Sequence, residues 1–173
     1  ECWGDGTATF MILGNICTRS CGFCGVKTGR PETVDWEEPE KVARSIQIMG
    51  IKHAVITSVD RDDLQDMGSI IWEETVGAIR RLNPNTTLET LIPDFQGITR
   101  HLDRIIKANP EVVSHNMETV KRLTRAVRIQ AKYEKSLEVL AYLKKSGINR
   151  TKSGIMLGLG EREEEVIETL RDL

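Results

Sequence analysis

Cys17, Cys21 and Cys24 stand within one eight-residue stretch, Cys17-Thr18-Arg19-Ser20-Cys21-Gly22-Phe23-Cys24, just after the apolar run Thr7 to Leu13 gives way to Gly14-Asn15. Glycines at 22 and 25 loosen the backbone there, so the spacing predicts a loop that folds round an inorganic centre instead of continuing as strand or helix. Three cysteinates can hold three irons of a cube-shaped 4Fe-4S cluster and leave the fourth iron open to a small chelating molecule. An open iron beside a bound sulfonium can deliver one electron, break the carbon–sulfur bond and release a carbon radical. Two other readings use the same thiols: a structural zinc site with Cys2 as fourth ligand, or cysteines that only pack. Disulfides are disfavoured, because thiols crowded into one tight loop make poor geometric partners.

The chain of 173 residues is long enough for one domain, 1–173, with a sizeable core, and 39% hydrophobic with 29% charged residues is a globular balance. Lys and Arg number 24 against 26 Asp and Glu, a net charge of -2, so no basic excess points to nucleic acid. The apolar run Phe10 to Leu13 is far too short to span a membrane, and no charged leader opens the chain. A soluble protein of a reducing compartment is expected, since three of the four cysteines share one loop. A first residue that is Glu1 and a last residue, Leu173, inside a predicted helix suggest part of a longer protein.

Strand and helix signals alternate along the chain. Thr7 to Leu13 predicts a buried strand, and Pro39 near the start with Gly50 at the end frames a helix. His53 to Ser58 is the second strand and leads into the acidic Asp60-Arg61-Asp62-Asp63. A helix over Ile70 to Leu82, a strand over Thr87 to Ile92, a helix over Ile98 to Ala108 and a strand over Val112 to Asn116 follow. The pattern then predicts helices over Met117 to Thr124 and Lys132 to Ser146, a fifth strand over Ser153 to Leu157 and a last helix from Glu163. Repeated strand–helix units imply a parallel α/β sheet, and a cysteine loop after the first strand favours a partial TIM barrel over a doubly wound layer.

In a barrel, only strand C-termini and the loops after them face a ligand held by the first loop. The candidates on that face are Thr57, Ser58, Asp60 and Arg61; Glu89, Pro93 and Asp94; His115, Asn116 and Glu118; and Gly158, Gly160 and Glu161. Each also reads as an ordinary cap or an acidic first turn. His53, His101 and Lys152 fail the filter and read as structural.

The three-then-two cysteine spacing with Phe23 before the last thiol resembles the signature of the radical S-adenosylmethionine superfamily. The resemblance implies that the amino-acid tail of S-adenosylmethionine chelates the open iron. Its ammonium then suits Asp60 or Ser58, and its carboxylate suits Arg128 or Arg61. The ribose diol suits Asn116 or Glu118. The run Gly154 to Glu161, with Gly158 and Glu161, resembles the superfamily's adenine-contacting motif.

The likeness is closer still to the lipoyl synthase family. It rests on Gly6 to Gly14, Cys17 to Cys24, Thr57 to Leu64, Leu91 to Phe95, His115 to Thr119 and Thr151 to Glu161, and so spans nearly the whole chain. It implies insertion of two sulfur atoms, at C6 and C8 of an octanoyl chain carried on a lysine of a lipoyl carrier domain. It also implies a second, auxiliary 4Fe-4S cluster that is consumed as sulfur source, with Cys2 matching the last of three ligands. The other two would precede Glu1, and an Arg-Ser-Ser-Tyr segment would follow Leu173, so a fragment lacking both termini and about one of six strands is expected. The family's reductant is of the ferredoxin or flavodoxin kind, and its setting is the cytoplasm, or the mitochondrion or plastid in eukaryotes. Alternatives are a biotin-synthase-like sulfur-inserting enzyme, against which the acidic loop after strand two speaks, and a non-catalytic, zinc-stabilised carrier-binding module.

Overall fold

A computed structural model describes residues 6–173. Strands β1 (Thr7–Ile12), β4 (His53–Ser58), β5 (Thr87–Leu91), β6 (Val112–Ser114) and β7 (Arg150–Lys152) form one parallel sheet, and their spatial order follows the chain without reversal. A doubly wound sheet would reverse its order at a switch point, so this is an arc of a barrel. Helices α1 (Glu38–Met49), α2 (Ser69–Leu82), α3 (Thr99–Ala108), α4 (Lys121–Val127), α5 (Tyr133–Lys145) and α6 (Glu163–Asp172) complete the units. A separate two-stranded ladder, β2 (Ile16–Cys17) with β3 (Lys27–Thr28), lies in the cysteine loop.

Alternation along the strands separates two faces. Ile12, Ala54, Ile56, Leu88 and Val113 are buried toward the helices, where α2 contributes Ile71, Trp72, Val76 and Ile79 to the same core. The other face forms the lumen, with Met11, Thr57, Leu91, Ser114 and Lys152 in one cross-strand row. Glu89 lies in the row beneath, where its carboxylate accepts from Ser114 Oγ at 2.7 Å and Lys152 Nζ at 2.9 Å. It is therefore a paired group of the barrel's interior.

Two element boundaries move and one ladder is new. The predicted fifth strand over Ser153 to Leu157 instead lies at Arg150–Lys152, with only an isolated pairing of Glu118 and Ile155 beyond it. Just past the strand, a Cβ at Gly154 would stand 3.1 Å from Asn116 Oδ1, so the glycine lets the two loops lie close. The helix expected from Met117 starts at Lys121, because Glu118 takes a φ of 65° and a tight turn follows, with Thr119 N–H donating to Met117 O. The β2–β3 ladder was not legible at all, being two residues on each side.

Gly68 caps α2 with a φ of 80°, and a Cβ added there would meet Leu13 Cδ1 at 2.4 Å. Gly77, inside the same helix, has nothing within 4 Å of an added Cβ. Opposite signs follow: Gly68→Ala should cost about 1–3 kcal/mol and Gly77→Ala should add about 0.5–1 kcal/mol. Urea midpoints of the two variants against the parent check this.

Candidate metal and cofactor site

The cysteine loop is held from two sides. At its base, Gly29 N–H donates to Cys17 O at 3.0 Å beside the β2–β3 ladder. At its tip, Gly22 N–H donates to Val127 O, the last residue of α4, at 2.8 Å, and Ser20 N–H donates to Gln130 Oε1 at 3.2 Å. Cys17 and Cys21 are half-buried and Cys24 is exposed.

All three cysteines line one cleft of about 300 Å³ at the C-terminal ends of the strands. Among the described residues, no three His, Cys, Asp or Glu side chains converge as ligands of a single ion. A cube takes one thiolate per iron, and three thiols lining one cleft are a donor set of that kind. The trio fits the cube. Burial pushes the Cys17 and Cys21 thiols up, with the Asp60 charge adding to the effect, so the thiolates depend on a metal's own charge. Cys17 Sγ also accepts from Asp60 N–H at 3.3 Å and Arg19 N–H at 3.4 Å, contacts that remain open to a metal-bound sulfur. Cys2 lies outside the described residues.

Arg19, between the first two cysteines, is 6% exposed and makes two carboxylate forks. One reaches Asp62, with Nε–Oδ2 at 2.7 Å and Nη2–Oδ1 at 2.9 Å; the other reaches Asp94, with Nη1–Oδ2 at 2.9 Å and Nη2–Oδ1 at 2.8 Å. These bonds hold Asp62 and Asp94 below the usual carboxylate range, against burial that raises both. Asp60 is treated differently. It receives a 3.3 Å ion contact from Arg19 and a long 3.9 Å contact from the Cys17 thiol, and burial, reinforced by the neighbouring Asp94 and Asp62 charges, pushes it up to about 6. Its oxygens remain available for an incoming cation.

Other polar groups in the cleft are likewise uncommitted. Ser58 Oγ is buried without a partner. The side chains of Asn116 and Glu118 line the cleft and make no hydrogen bond among the described residues. Arg128 spends Nη1 on Met117 O at 3.0 Å and Ser136 Oγ at 3.2 Å, while its other N–H groups have no acceptor among the described residues. His115 sets up that contact. Its Nδ1–H donates to Ile92 O at 2.9 Å, so Nε2 accepts from Ser136 O–H at 2.9 Å, and the ring is neutral.

The structure thus gathers Thr57, Ser58, Asp60, Pro93, Asp94, His115, Asn116, Glu118 and Arg128 about the thiols. It does not gather Arg61, whose guanidinium is taken up by Asp63 at 2.8 Å and by the carbonyls of Leu13 and Glu32. Glu89 faces Lys152 in the row below. Gly158, Gly160 and Glu161 stand outside the cleft, in a turn where the Glu161 carboxylate accepts from the N–H groups of Gly158 and Leu159. Arg19 was missed by the sequence reading; its place inside the cysteine motif, opposite an acidic loop, was the available signal.

Barrel arc and cysteine loop together define a class, and the family comparison agrees. The family model described as Radical SAM superfamily matches residues 11–173, and the chain belongs to that superfamily. Membership implies a 4Fe-4S cluster and S-adenosylmethionine. The chain is 85% identical over its whole length to a lipoyl synthase of Flavobacterium johnsoniae and 87% identical to the mitochondrial lipoyl synthase of Nematostella vectensis. It spans about 60% of the length of those curated relatives. Among solved structures, the FeFe-hydrogenase maturase HydG from Carboxydothermus hydrogenoformans matches with a TM-score of 0.79 at 18% identity, covering 96% of this chain and 39% of that one. Methylornithine synthase matches with a TM-score of 0.71 at 16% identity, over 94% and 48% of the two chains. Both show the fold.

Replacing Arg19 with Met removes the cation that Asp94, itself 4% exposed, depends on. Urea unfolding of the Arg19→Met variant should show a loss of about 3–5 kcal/mol. His115 gives a pH signature. Burial holds its pKa down to about 4, so between the unfolded value near 6.5 and that figure the unfolded chain binds a proton that the fold refuses. Stability should fall on acidification across that window, by about 1.4 kcal/mol per pH unit and on the order of 3 kcal/mol in all. His115→Gln should lack this slope in urea midpoints measured from pH about 7 down to about 4.

Proposed function

We propose that this chain is the radical-generating core of a lipoyl synthase, an enzyme that inserts sulfur at C6 and C8 of a protein-bound octanoyl-lysine. The supporting observation is the shared cleft: Cys17, Cys21 and Cys24 stand round it with the uncommitted Ser58, Asp60, Asn116, Glu118 and Arg128. The 85% and 87% identity to two lipoyl synthases over the whole chain supports that substrate class.

When bound, the cluster and S-adenosylmethionine supply a carbon radical able to take hydrogen from an unactivated methylene. The chain's residues do the rest. Asp60 and the Ser58 hydroxyl accept from the ammonium of the cofactor's amino-acid tail, and the free N–H groups of Arg128 take its carboxylate. Glu118 and Asn116 receive the ribose hydroxyls. Gly158 and Glu161 approach the adenine only if their turn rearranges over the cleft. Met11, Thr57 and Leu91 line the cleft beside these groups and give it an apolar side, where a fatty chain can lie shielded from water.

In the whole protein a second 4Fe-4S cluster, with Cys2 among its ligands, serves as sulfur source, and an octanoylated carrier domain and a ferredoxin- or flavodoxin-like reductant are the partners. The setting is the cytoplasm or, in a eukaryote, the mitochondrion or plastid; the relatives include bacterial proteins and one named as mitochondrial. No helix among the described residues is long and apolar enough to cross a membrane.

Anaerobic reconstitution with iron and sulfide tests this reading. The trio should hold one cluster of about four irons, and the reduced protein should convert S-adenosylmethionine to deoxyadenosine. Cys21→Ala should lose both the iron and the cleavage. Deoxyadenosine formation by that variant, or a colourless protein loaded with zinc, would refute it.

A further inference from the structure

Charge on this chain is unevenly placed. From Cys17 to Pro31 there are three cations, and from Thr119 to Tyr133 there are five; neither stretch contains an Asp or Glu, although the whole chain has a net charge of -2. The two stretches touch, through Gly22 N–H to Val127 O at 2.8 Å and through both polar atoms of the Gln130 amide to Ser20. Four of the eight cations have work already. Arg19 and Arg128 are buried at the site, Lys121 pairs with Glu134 at 2.9 Å and Arg122 pairs with Glu165 at 2.6 Å. The other four, Lys27, Arg30, Arg125 and Lys132, are exposed and have no carboxylate partner among the described residues.

Two large apolar side chains are exposed in the same two stretches: Phe23 at 38% and Ile129 at 60%. Cys24, between Phe23 and Lys27 in sequence, is the most exposed of the three thiols. Two touching stretches that carry unpaired cations, exposed apolar side chains and the outermost ligand, with Phe23 at the rim of the cleft, have the composition of a docking face for an acidic protein. The chemistry narrows the occupant. A cluster that must be reduced one electron at a time needs its donor close to an exposed edge, and transient electron-transfer partners use small, charge-steered interfaces.

We propose that Lys27, Arg30, Arg125 and Lys132, round Phe23 and Ile129, form the docking surface for a small acidic one-electron carrier protein that reduces the cluster at its Cys24 edge. This rests on the cluster-binding reading above. In the transfer step, the reduced carrier loses one electron and the cluster gains it; no atom moves.

The test uses cluster-loaded protein and, as probe, a reduced acidic plant-type ferredoxin. Binding should weaken steeply with salt, and the variant Lys27→Glu/Arg30→Glu/Arg125→Glu/Lys132→Glu should bind at least tenfold more weakly and take up electrons from the ferredoxin at least tenfold more slowly. Deoxyadenosine formation driven by dithionite, which needs no docking, should be unchanged in that variant. Should the fourfold variant not fold, the salt dependence of the parent and the Arg125→Glu single variant decide the matter, and binding indifferent to both overturns the proposal. Unaltered ferredoxin binding by the fourfold variant overturns it too. Loss of binding to an octanoylated carrier domain with ferredoxin binding intact would assign the surface to the substrate protein instead, and so also overturns it. Failure of dithionite-driven cleavage in the parent would strike the radical-enzyme reading, while salt-sensitive ferredoxin binding to the same surface would still be read independently.

Discussion

One guanidinium, that of Arg19, ties the cysteine loop to the ends of two strands. Its forks to Asp62 and Asp94 join the loop after β1, the loop after β4 and the end of β5 at a single buried point. As a source of stability such a buried network is a poor choice, since well-packed apolar side chains of similar volume serve as well or better. What it fixes is position: a planar fork accepts only one orientation of each carboxylate, whereas an apolar contact tolerates sliding. The arrangement also leaves an imbalance, because Arg19 satisfies two carboxylates by hydrogen bonds and reaches the third, Asp60, only by charge. A carboxylate is thereby kept beside Cys17, held only by the Arg19 ion contact and a long thiol contact.

That imbalance belongs to a wider pattern. Arg61, Glu89 and Glu161 sit near strand ends or in their loops, as Asp60 does, yet each has its hydrogen bonds filled by neighbours. In the cleft, Asp94 and His115 are filled in the same way, while Ser58, Asn116, Glu118 and part of Arg128 are not. An orphaned Ser58 hydroxyl and a half-used Arg128 each cost the fold on the order of 1–3 kcal/mol of unmade bonds, a cost retained where a ligand supplies the missing partners. Position on the active face and unmade hydrogen bonds coincide at Ser58 and Arg128, whereas the equally unpartnered Trp72 Nε1, Thr119 Oγ1 and Ser153 Oγ lie outside the cleft.

This explains what could and could not be read from the sequence. The strand order, the active face and the three thiols were legible because they depend on period-two and period-3.6 patterns and on a local spacing. So were the positions of Asp60, Asn116 and Glu118, since strand direction alone places them, whereas Arg128 was named only as a cation suited to a carboxylate. Arg61 and Glu89 were not separable from these, because their partners, Asp63 with two carbonyls and Lys152 with Ser114, emerge only from register and rotamer. The turn holding Glu161 is closed by two backbone N–H groups, a local contact that pattern reasoning prices the same whether or not it faces a ligand. The fifth strand lies at Arg150–Lys152, where its register is set by pairing with Val112 to Ser114, a partner that neither sequence stretch reveals by itself.

The position of the thiols also depends on the end of the chain farthest from them in sequence. Gly22 hangs on the last residue of α4, a helix of only seven residues that cannot hold itself by propensity. Arg122 on α4 is fastened by two bonds to Glu165 and by one to the carbonyl of Gly160, and Glu165 closes the capping box that starts α6. The Tyr133 hydroxyl, at the start of α5, donates to Asp172 near the other end of α6 at 2.8 Å. A line of named contacts therefore runs from α6 through α4 to the tip of the cysteine loop, while Arg19 holds the same loop from the strand side. The cluster site is thus clamped between the middle of the chain and its final helix, and a barrel open at β7 can still present three thiols in a defined arrangement.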